Sequence, residues 1–504
     1  MKQIDLLWTG ATRVPDKIAC MSADAKISYG QLIGCVDRLA ARLKDMGCRE
    51  GISAAIVLNN SVEYLISLFA ISAAGGTVCP LFGRMTKNEI HRCLAQGNVS
   101  LVITNREMRT KLVEEEDAYR LAGICYVKYT RGNDLDVDIE THEFCQPDEE
   151  LLDVALLLPT SGTTGRPKMV MLTHDNVISN VLAYRSAMGF SGQDTSYCTL
   201  PMNHIYSLNA QILTHISLGD TLVISDCPFL TQDFFKSVEE HRVTVTSFVP
   251  FMGILMAECH QPEQFDLGSL KCITFAGSKT PEPVYEELAT KYPDMRFVGT
   301  YGMTEAGPRI SVAAPLDQEY ALGSAGRPMS GVQVNITDEM GNETDIGITG
   351  EIRIKGRGVM KGYYRQRELT LETLVDGWLR TGDLGHFDRD GNLFVDGRIK
   401  DIIVSGGRNV YPTEIEECLL KHPSIRQAVV VGRSDRLLQE VPHVFVVARP
   451  NSGNIRAADI IRFCRHQLSS YKVPRAVRIV ERLPMLTNSK IDRNALKAMV
   501  EEIH

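Results

Sequence analysis

Nine consecutive residues have the side chains to hold a chain of phosphates: Thr160, Ser161, Gly162, Thr163, Thr164, Gly165, Arg166, Pro167 and Lys168. The hydroxyls can donate to phosphate oxygens or touch a metal ion, the glycines admit close approach of the backbone, and Lys168 adds a positive charge. The run follows an apolar stretch, 154–158, that reads as a strand. Residues 169–172 read as a second strand, and a helix opens only after Thr173, His174 and Asp175. A Walker loop instead places Ser or Thr directly after its lysine and starts a helix there, so this is a different device. Gly-Thr-Thr-Gly alone would be a hairpin turn; the full string points to nucleotide phosphates.

The run resembles the phosphate loop of the acyl-adenylate-forming superfamily, which includes acyl-CoA synthetases, 4-coumarate:CoA ligases, luciferases and the adenylation domains of peptide synthetases. Pro159 stands where an aromatic is often found, and Met169 where glycine is usual. Further segments match in the family's order, so the resemblance spans nearly the whole chain. Thr300, Tyr301, Gly302, Met303, Thr304 and Glu305 resemble the adenine and metal motif. The resemblance implies Tyr301 stacked on adenine, Thr304 on the α-phosphate and Glu305 holding Mg²⁺, with Thr160 as a further metal contact. Ala276, Gly277 and Ser278 occupy the place where the family packs backbone against adenine, with Lys279 and Thr280 replacing the usual small residue and proline. Asp383, in the run from Trp378 to Leu384, would accept from both ribose hydroxyls; a carboxylate suits a diol because both its oxygens accept.

Gly397, Arg398, Ile399, Lys400 and Asp401 resemble the family's hinge, with Arg398 on the ribose and Lys400 as the pivot. Ser405, Gly406, Gly407 and Arg408 then match the glycine loop that swings in to line the pantetheine tunnel once adenylation is complete. Asn488, Ser489, Lys490, Ile491, Asp492 and Arg493 resemble the C-terminal lysine motif. Lys490 is the implied catalytic cation: negative charge builds as a carboxylate attacks the α-phosphate and pyrophosphate leaves, and an ammonium and a metal offset it. Taken in isolation these strings have ordinary readings: a capped turn with a solvated glutamate, a flexible turn, a surface lysine.

Leu200 to Asn209 resembles the acyl-site motif of 4-coumarate:CoA ligases and related acyl-CoA ligases, with His204 walling the carboxylate and the thiol path. The alternative is a histidine packed at a strand end. Tyr206, Asn209, Phe248, Pro250, Gly299, Gly302, Gly307 and Pro308 sit where family pockets are lined, and each could equally be core. Near this motif there is no clear counterpart of the aspartate by which amino-acid-activating members hold an ammonium, which disfavours that substrate class. The implied reaction is activation of a small-molecule carboxylic acid, aryl or medium-chain, by ATP and Mg²⁺, then transfer to coenzyme A. The phosphopantetheine of an acyl carrier protein presents the same arm and stands as the alternative acceptor. A nucleotide-binding relative without turnover is a third reading, disfavoured because Thr164, Glu305, Asp383, Arg398 and Lys490 are all present.

These side chains need a scaffold to converge. Residues 54–58, 62–74 and 77–80 read strand, helix, strand, which predicts a parallel sheet. Apolar strands recur at 101–104, 154–158, 221–225 and 243–249 with helical segments between many of them, so the fold class is α/β with doubly wound sheets in a large N-terminal domain, 1–399. From about Gly323 the texture becomes glycine-rich and alternating, predicting a β subdomain to residue 399, in which Asp388 to Asn392 is a hairpin turn. Residues 400–504 mix strands at 428–431 and 443–447 with a helix at 457–468 and read as a small α+β C-terminal domain, which the resemblance makes mobile about Lys400. The uncharged stretch 64–82 has a membrane-spanning length but is broken by Gly75, Gly76 and Pro80, so no membrane span is expected. A net charge of −8 argues against bulk binding to nucleic acid or an anionic membrane. The 13 cysteines lack paired Cys-x-x-Cys spacing, which fits reduced thiols in the cytoplasm and no zinc site. The N-terminus lacks a signal-peptide pattern and the C-terminus is not a peroxisomal address, so the expected location is cytoplasmic.

Overall fold

Strands Ser53–Leu58 and Thr77–Phe82 pair in parallel, and helix Val62–Ala74 makes the crossover between them. All six residues of Ser53–Leu58 are buried and so is nearly the whole helix, which is why this stretch is apolar on every side. Ser61 caps the helix by accepting from the Tyr64 N–H, and Gly75 ends it in the left-handed region at φ +91°. Among the described residues no helix is long and apolar enough to cross a membrane. The computed structural model describes the chain except residues 113–120, 131–133, 142–145, 161–166, 314–322, 450–451, 454, 486–490 and 502–504.

This unit belongs to an eight-stranded sheet that also holds Leu101–Thr104, Gly123–Tyr129 and Leu135–Thr141 on one side. On the other side lies the antiparallel pair Val154–Thr160 and Lys168–Thr173, whose outer edge is covered by Gly362–Tyr363. A nine-stranded sheet is built on six parallel strands: Ile18–Met21, Thr221–Ile224, Thr195–Cys198, Val245–Phe248, Cys272–Phe275 and Arg296–Tyr301. Of these, Cys272–Phe275 ends directly before Ala276, Thr195–Cys198 ends just before Leu200, and Arg296–Tyr301 runs into the Thr300–Glu305 string, so three strings singled out in the sequence lie at the carboxyl ends of these strands. That is where open parallel sheets gather their ligands.

The glycine-rich region forms an antiparallel sheet of Val332–Thr337, Gly350–Gly356, Trp378–Phe387, Leu374–Val375 and Leu393–Arg398. It is not sealed off: Arg327–Pro328 joins the edge of the nine-stranded sheet, and Gly362–Tyr363 joins the eight-stranded one. The C-terminal region has its own sheet, with Ile425–Asp435 and Gln439–Ala448 at its centre. Val430, Val444 and Val446 face one apolar cluster, while Val429, Val431, Phe445 and Val447 face another, the period-two alternation of a sheet covered on both sides. Ion pairs link this region to the rest: Arg426 to Glu258 at 2.6 Å, Arg449 to Glu287 at 3.0 Å, and Lys279 to Glu417.

Candidate active site

Asp383 lies opposite Arg398 in the antiparallel pairing of Trp378–Phe387 with Leu393–Arg398. The Arg398 Nε is 2.9 Å from one carboxylate oxygen, and the Tyr301 hydroxyl donates to the other at 2.8 Å. The Thr381 hydroxyl accepts from the Asp383 N–H at 3.0 Å. The carboxylate is 4% exposed while the guanidinium is 51% exposed, so a buried anion is balanced by a cation reaching to the surface. Burial, and then the charge of Asp383, push the Tyr301 hydroxyl well above its usual range, which keeps it a donor. Residues 82 positions apart in the chain thus share one polar cluster.

Glu305 sits in the tight turn Thr304–Ala306, whose closure depends on two glycines. A Cβ on Gly302 would lie 1.7 Å from the Pro308 carbonyl oxygen, and Gly307 has φ +66°. The Tyr363 hydroxyl donates to a Glu305 oxygen at 2.9 Å, and the Lys168 ammonium lies 5.1 Å from the centre of the Tyr363 ring. Tyr363 therefore links the lysine of the phosphate string to the glutamate of the metal motif. Burial and then the neighbouring Glu305 raise its hydroxyl, which stays protonated. The sequence offered little sign of Tyr363 beyond an aromatic pair after a glycine. Thr160 faces Lys168 across the hairpin and its hydroxyl donates to the Lys168 carbonyl at 3.3 Å. The lysine is thus followed by a strand and not by a helix. Ser161, Gly162, Thr163, Thr164 and Gly165 lie outside the described residues.

The Thr300 hydroxyl donates to the Phe275 carbonyl at 2.9 Å and so ties neighbouring strand ends together. The Ala276 N–H donates to the Phe248 carbonyl at 3.2 Å, and Gly277, at φ +93°, turns the chain out so that Gly277 and Ser278 are exposed. The departure at Lys279 acquires a partner: its ammonium pairs with Glu417 of the C-terminal region.

His204 caps the short helix Ile205–Ser207, its Nδ1 accepting from the Tyr206 N–H at 3.2 Å. A π-helical stretch, Leu208–Leu213, follows, a deviation often found at functional sites. Tyr206 is buried and donates to the Thr274 carbonyl at 3.1 Å, while Asn209 is buried with its amide nitrogen unpaired among the described residues. Phe248 is fully buried in an aromatic cluster with Phe229 and Phe234, each 5.1 Å away between ring centres. At Gly299 a Cβ would come within 2.9 Å of the Tyr285 hydroxyl. Arg309, which the sequence reading passed over, lies buried with its guanidinium against Tyr184 and Tyr206.

The remaining candidates belong to the C-terminal region. Lys400 is exposed in the turn Ile399–Asp401, between the last strand of the glycine-rich sheet and Ile403–Ser405. Gly406 and Gly407, at φ +58° and +75°, close the hairpin of Ile403–Ser405 with Arg408–Val410. The Gly406 N–H donates to Leu438 and the Arg408 guanidinium lies over Tyr471, both within the C-terminal region. Lys490 lies outside the described residues; Ile491 beside it bridges to Met485, and Arg493 pairs with Glu416 at 2.7 Å.

The AMP-binding enzyme family model matches residues 7–364, and the model of the AMP-binding enzyme C-terminal domain matches residues 414–490. The chain belongs to the AMP-binding enzyme family, the acyl-adenylate-forming enzymes, as its motifs lead one to expect. The chain is 32% identical over 492 residues to a 2-succinylbenzoate–CoA ligase of Bacillus licheniformis, covering 96% of this chain and 98% of that one. It is also 32% identical over 496 residues to an indoleacetate–CoA ligase of Aromatoleum aromaticum, covering 96% of each. Among solved structures, ATP-bound MatB from Rhodopseudomonas palustris superposes over the full length of both chains with a TM-score of 0.88 at 26% identity. MenE from Bacillus subtilis, an o-succinylbenzoate CoA synthetase in complex with its acyl-adenylate, does so over 99% of this chain and 98% of that one with a TM-score of 0.80 at 28% identity.

Proposed function

We propose that the site activates an aryl carboxylic acid. The chain is an AMP-forming acid–thiol ligase: it joins a carboxylic acid to AMP at the expense of ATP and passes the acyl group to coenzyme A. The observation that supports this reading is that Lys168 and Glu305, which lie in or after strands of two different sheets, both contact Tyr363, so an ammonium suited to phosphates and a carboxylate suited to a hard metal ion lie close together. Two relatives named for aryl acids, similar over almost their whole length, favour an aryl acid over a medium-chain one.

In this reading Asp383 receives the ribose hydroxyls, with Arg398 and Tyr301 holding its carboxylate in place, and the Tyr301 ring supports adenine. Ala276, Gly277 and Ser278 line the other side of the base. Thr160 to Lys168 cradles the β- and γ-phosphates, and Thr304 donates to the α-phosphate. The donor set fits Mg²⁺: Glu305 is a part-buried carboxylate oriented by a tyrosine hydroxyl, and Mg²⁺ takes one or two carboxylates together with phosphate oxygens and waters. Among the described residues no three acidic, histidine or cysteine groups converge, so substrate phosphates would complete its shell, with Thr160 the second candidate protein ligand. When bound, the ion would neutralise charge on the phosphates. His204 borders the acid's carboxylate, and Lys490 supplies the second cation as pyrophosphate leaves. The C-terminal region then turns about Lys400, and Gly406 and Gly407 line the thiol path.

The test is pyrophosphate release from Mg-ATP across a panel of aryl, short-, medium- and long-chain acids, with and without coenzyme A, products being identified by mass. Acyl-CoA from an aryl acid is the expected product. Acyl-AMP that accumulates with coenzyme A present would transfer the acceptor role to a carrier protein, and preference for an unbranched alkyl acid would overturn the aryl assignment.

A further inference from the structure

The backbone around Tyr363 is fastened on several sides. Tyr363 lies opposite Val170 in the pairing with Lys168–Thr173, and the Lys361 and Tyr364 N–H groups donate to the Met171 and Met169 carbonyls at 2.9 and 2.8 Å. Its own N–H donates to the Thr370 hydroxyl at 2.9 Å. Gly362, at φ +149°, admits this close approach, since a Cβ there would lie 2.7 Å from the Thr370 methyl. Earlier in the same segment the Met360 N–H donates to the Glu305 carbonyl at 2.9 Å, so Glu305 is tied to this segment through its backbone as well as its carboxylate. Tyr363 itself is 5% exposed.

The carboxylate is used unevenly. The Tyr363 hydroxyl donates to Oε1 at 2.9 Å, and among the described residues no other group donates to Glu305, which leaves Oε2 as the oxygen open to a ligand. The phenol stays protonated, so Oε1 stays engaged. This asymmetry bears on the choice of metal ion. Ca²⁺ takes a large, flexible shell and can chelate a carboxylate through both oxygens, whereas Mg²⁺ holds a small octahedral shell of phosphate oxygens, waters and one or two carboxylates. A carboxylate with one oxygen already hydrogen-bonded suits the second ion and hinders chelation of the first.

We propose that Tyr363 is a positioning residue that reserves one oxygen of Glu305 and so selects Mg²⁺ over Ca²⁺ as the ion accompanying ATP. The inference rests on the ligase reading above, in which Glu305 is the metal ligand.

Tyr363→Phe isolates the hydrogen bond, because it keeps the ring beneath Lys168 and removes only the hydroxyl. Calorimetric titration with Mg-ATP, Ca-ATP and metal-free ATP, with no acid present, reads binding without turnover. Wild type should bind Mg-ATP tighter than Ca-ATP by about tenfold or more. Tyr363→Phe should lose about 10- to 100-fold in affinity for Mg-ATP, the range for removing a group that orients a metal ligand. It should lose less for Ca-ATP and nothing for metal-free ATP, a pattern that general loosening of the fold would not give. In acid-dependent ATP–pyrophosphate exchange its KM for Mg²⁺ should rise by more than its kcat falls. Equal affinity of wild type for the two metal complexes would decide against the proposal without any variant. An unchanged Mg-to-Ca ratio in Tyr363→Phe, with Mg-ATP binding weakened in Glu305→Gln, would overturn the role of Tyr363 and leave the ligase reading standing. Mg-ATP binding in Glu305→Gln equal to that of wild type would instead overturn the metal placement on which both rest.

Discussion

Asp383 accepts at once from Tyr301 and Arg398, so the protein itself fixes the orientation of the carboxylate proposed to receive the ribose. Asp383→Asn removes the charge and leaves Arg398 unpaired there; the KM for ATP should rise at least tenfold, measured by ATP–pyrophosphate exchange. Lys490→Ala should slow adenylation by about 10²- to 10³-fold, the scale of losing one preorganised charge-stabilising donor, while thioester formation from supplied acyl-AMP persists. Measuring the two half-reactions separately checks this, and equal loss in both would refute the role. A pH effect belongs to His443, buried with both ring nitrogens unpaired among the described residues. Burial, then Arg433 and Arg478, lower its pKa from 6.5 to about 4. The folded state thus favours the neutral ring, so this contribution is complete above pH 6.5 and is lost as pH falls through the window toward about 4. The melting temperature should drop across that window, and less so in His443→Phe. At this scale the sequence disclosed residues whose type states their chemistry, such as Lys168, Glu305 and Asp383. It did not disclose Tyr363 or Arg309, whose significance lies in what they touch.

Elements carry a different vulnerability. The turn bearing Glu305 closes only because Gly302 has no side chain, so Gly302→Ala must displace Pro308 and with it the carboxylate. A loss of about 1–3 kcal/mol in stability is expected, as for overpacking in a close-packed site, with reduced adenylation; chemical denaturation and exchange assays measure the two. Thr173→Ala breaks the capping box at the start of His174–Met188 and should cost about 1 kcal/mol. Much at this level was legible. The Val62–Ala74 helix and the strand after Lys168 announce themselves through apolar runs and capping residues, and the helix expected after Asp175 starts slightly earlier, at His174, with Thr173 as its cap. The strand expected over 243–249 is shorter, Val245–Phe248, because Val243 donates back to the preceding helix at Val238. The two short strands Arg327–Pro328 and Gly362–Tyr363 have no period to read, since their pairing is set by partners far away in sequence.

Across the whole molecule the C-terminal region is held against the rest partly by Arg426–Glu258 and Arg449–Glu287, both partly exposed. Pairs of this kind are worth about 0.2–1 kcal/mol each and weaken with salt, so they hold this arrangement only weakly. Glu258→Gln combined with Glu287→Gln should speed proteolysis near residues 399–402 at low salt, and added salt should bring wild type toward the variant. An unchanged cleavage rate would mean that apolar packing, not charge, sets this arrangement.

Gly362–Tyr363 also closes the outer edge of Lys168–Thr173, a strand whose other edge is held by Val154–Thr160. During translation the partner for that open edge is made nearly two hundred residues after the strand itself. Throughout that interval the nascent chain displays unpaired backbone beside the buried side chains of Met169, Val170, Met171 and Leu172, the kind of surface that invites mispairing. Lys168, at the start of that strand, therefore leaves the ribosome long before Tyr363, the ring it lies over, exists, and a messenger truncated before residue 362 would encode an aggregation-prone fragment.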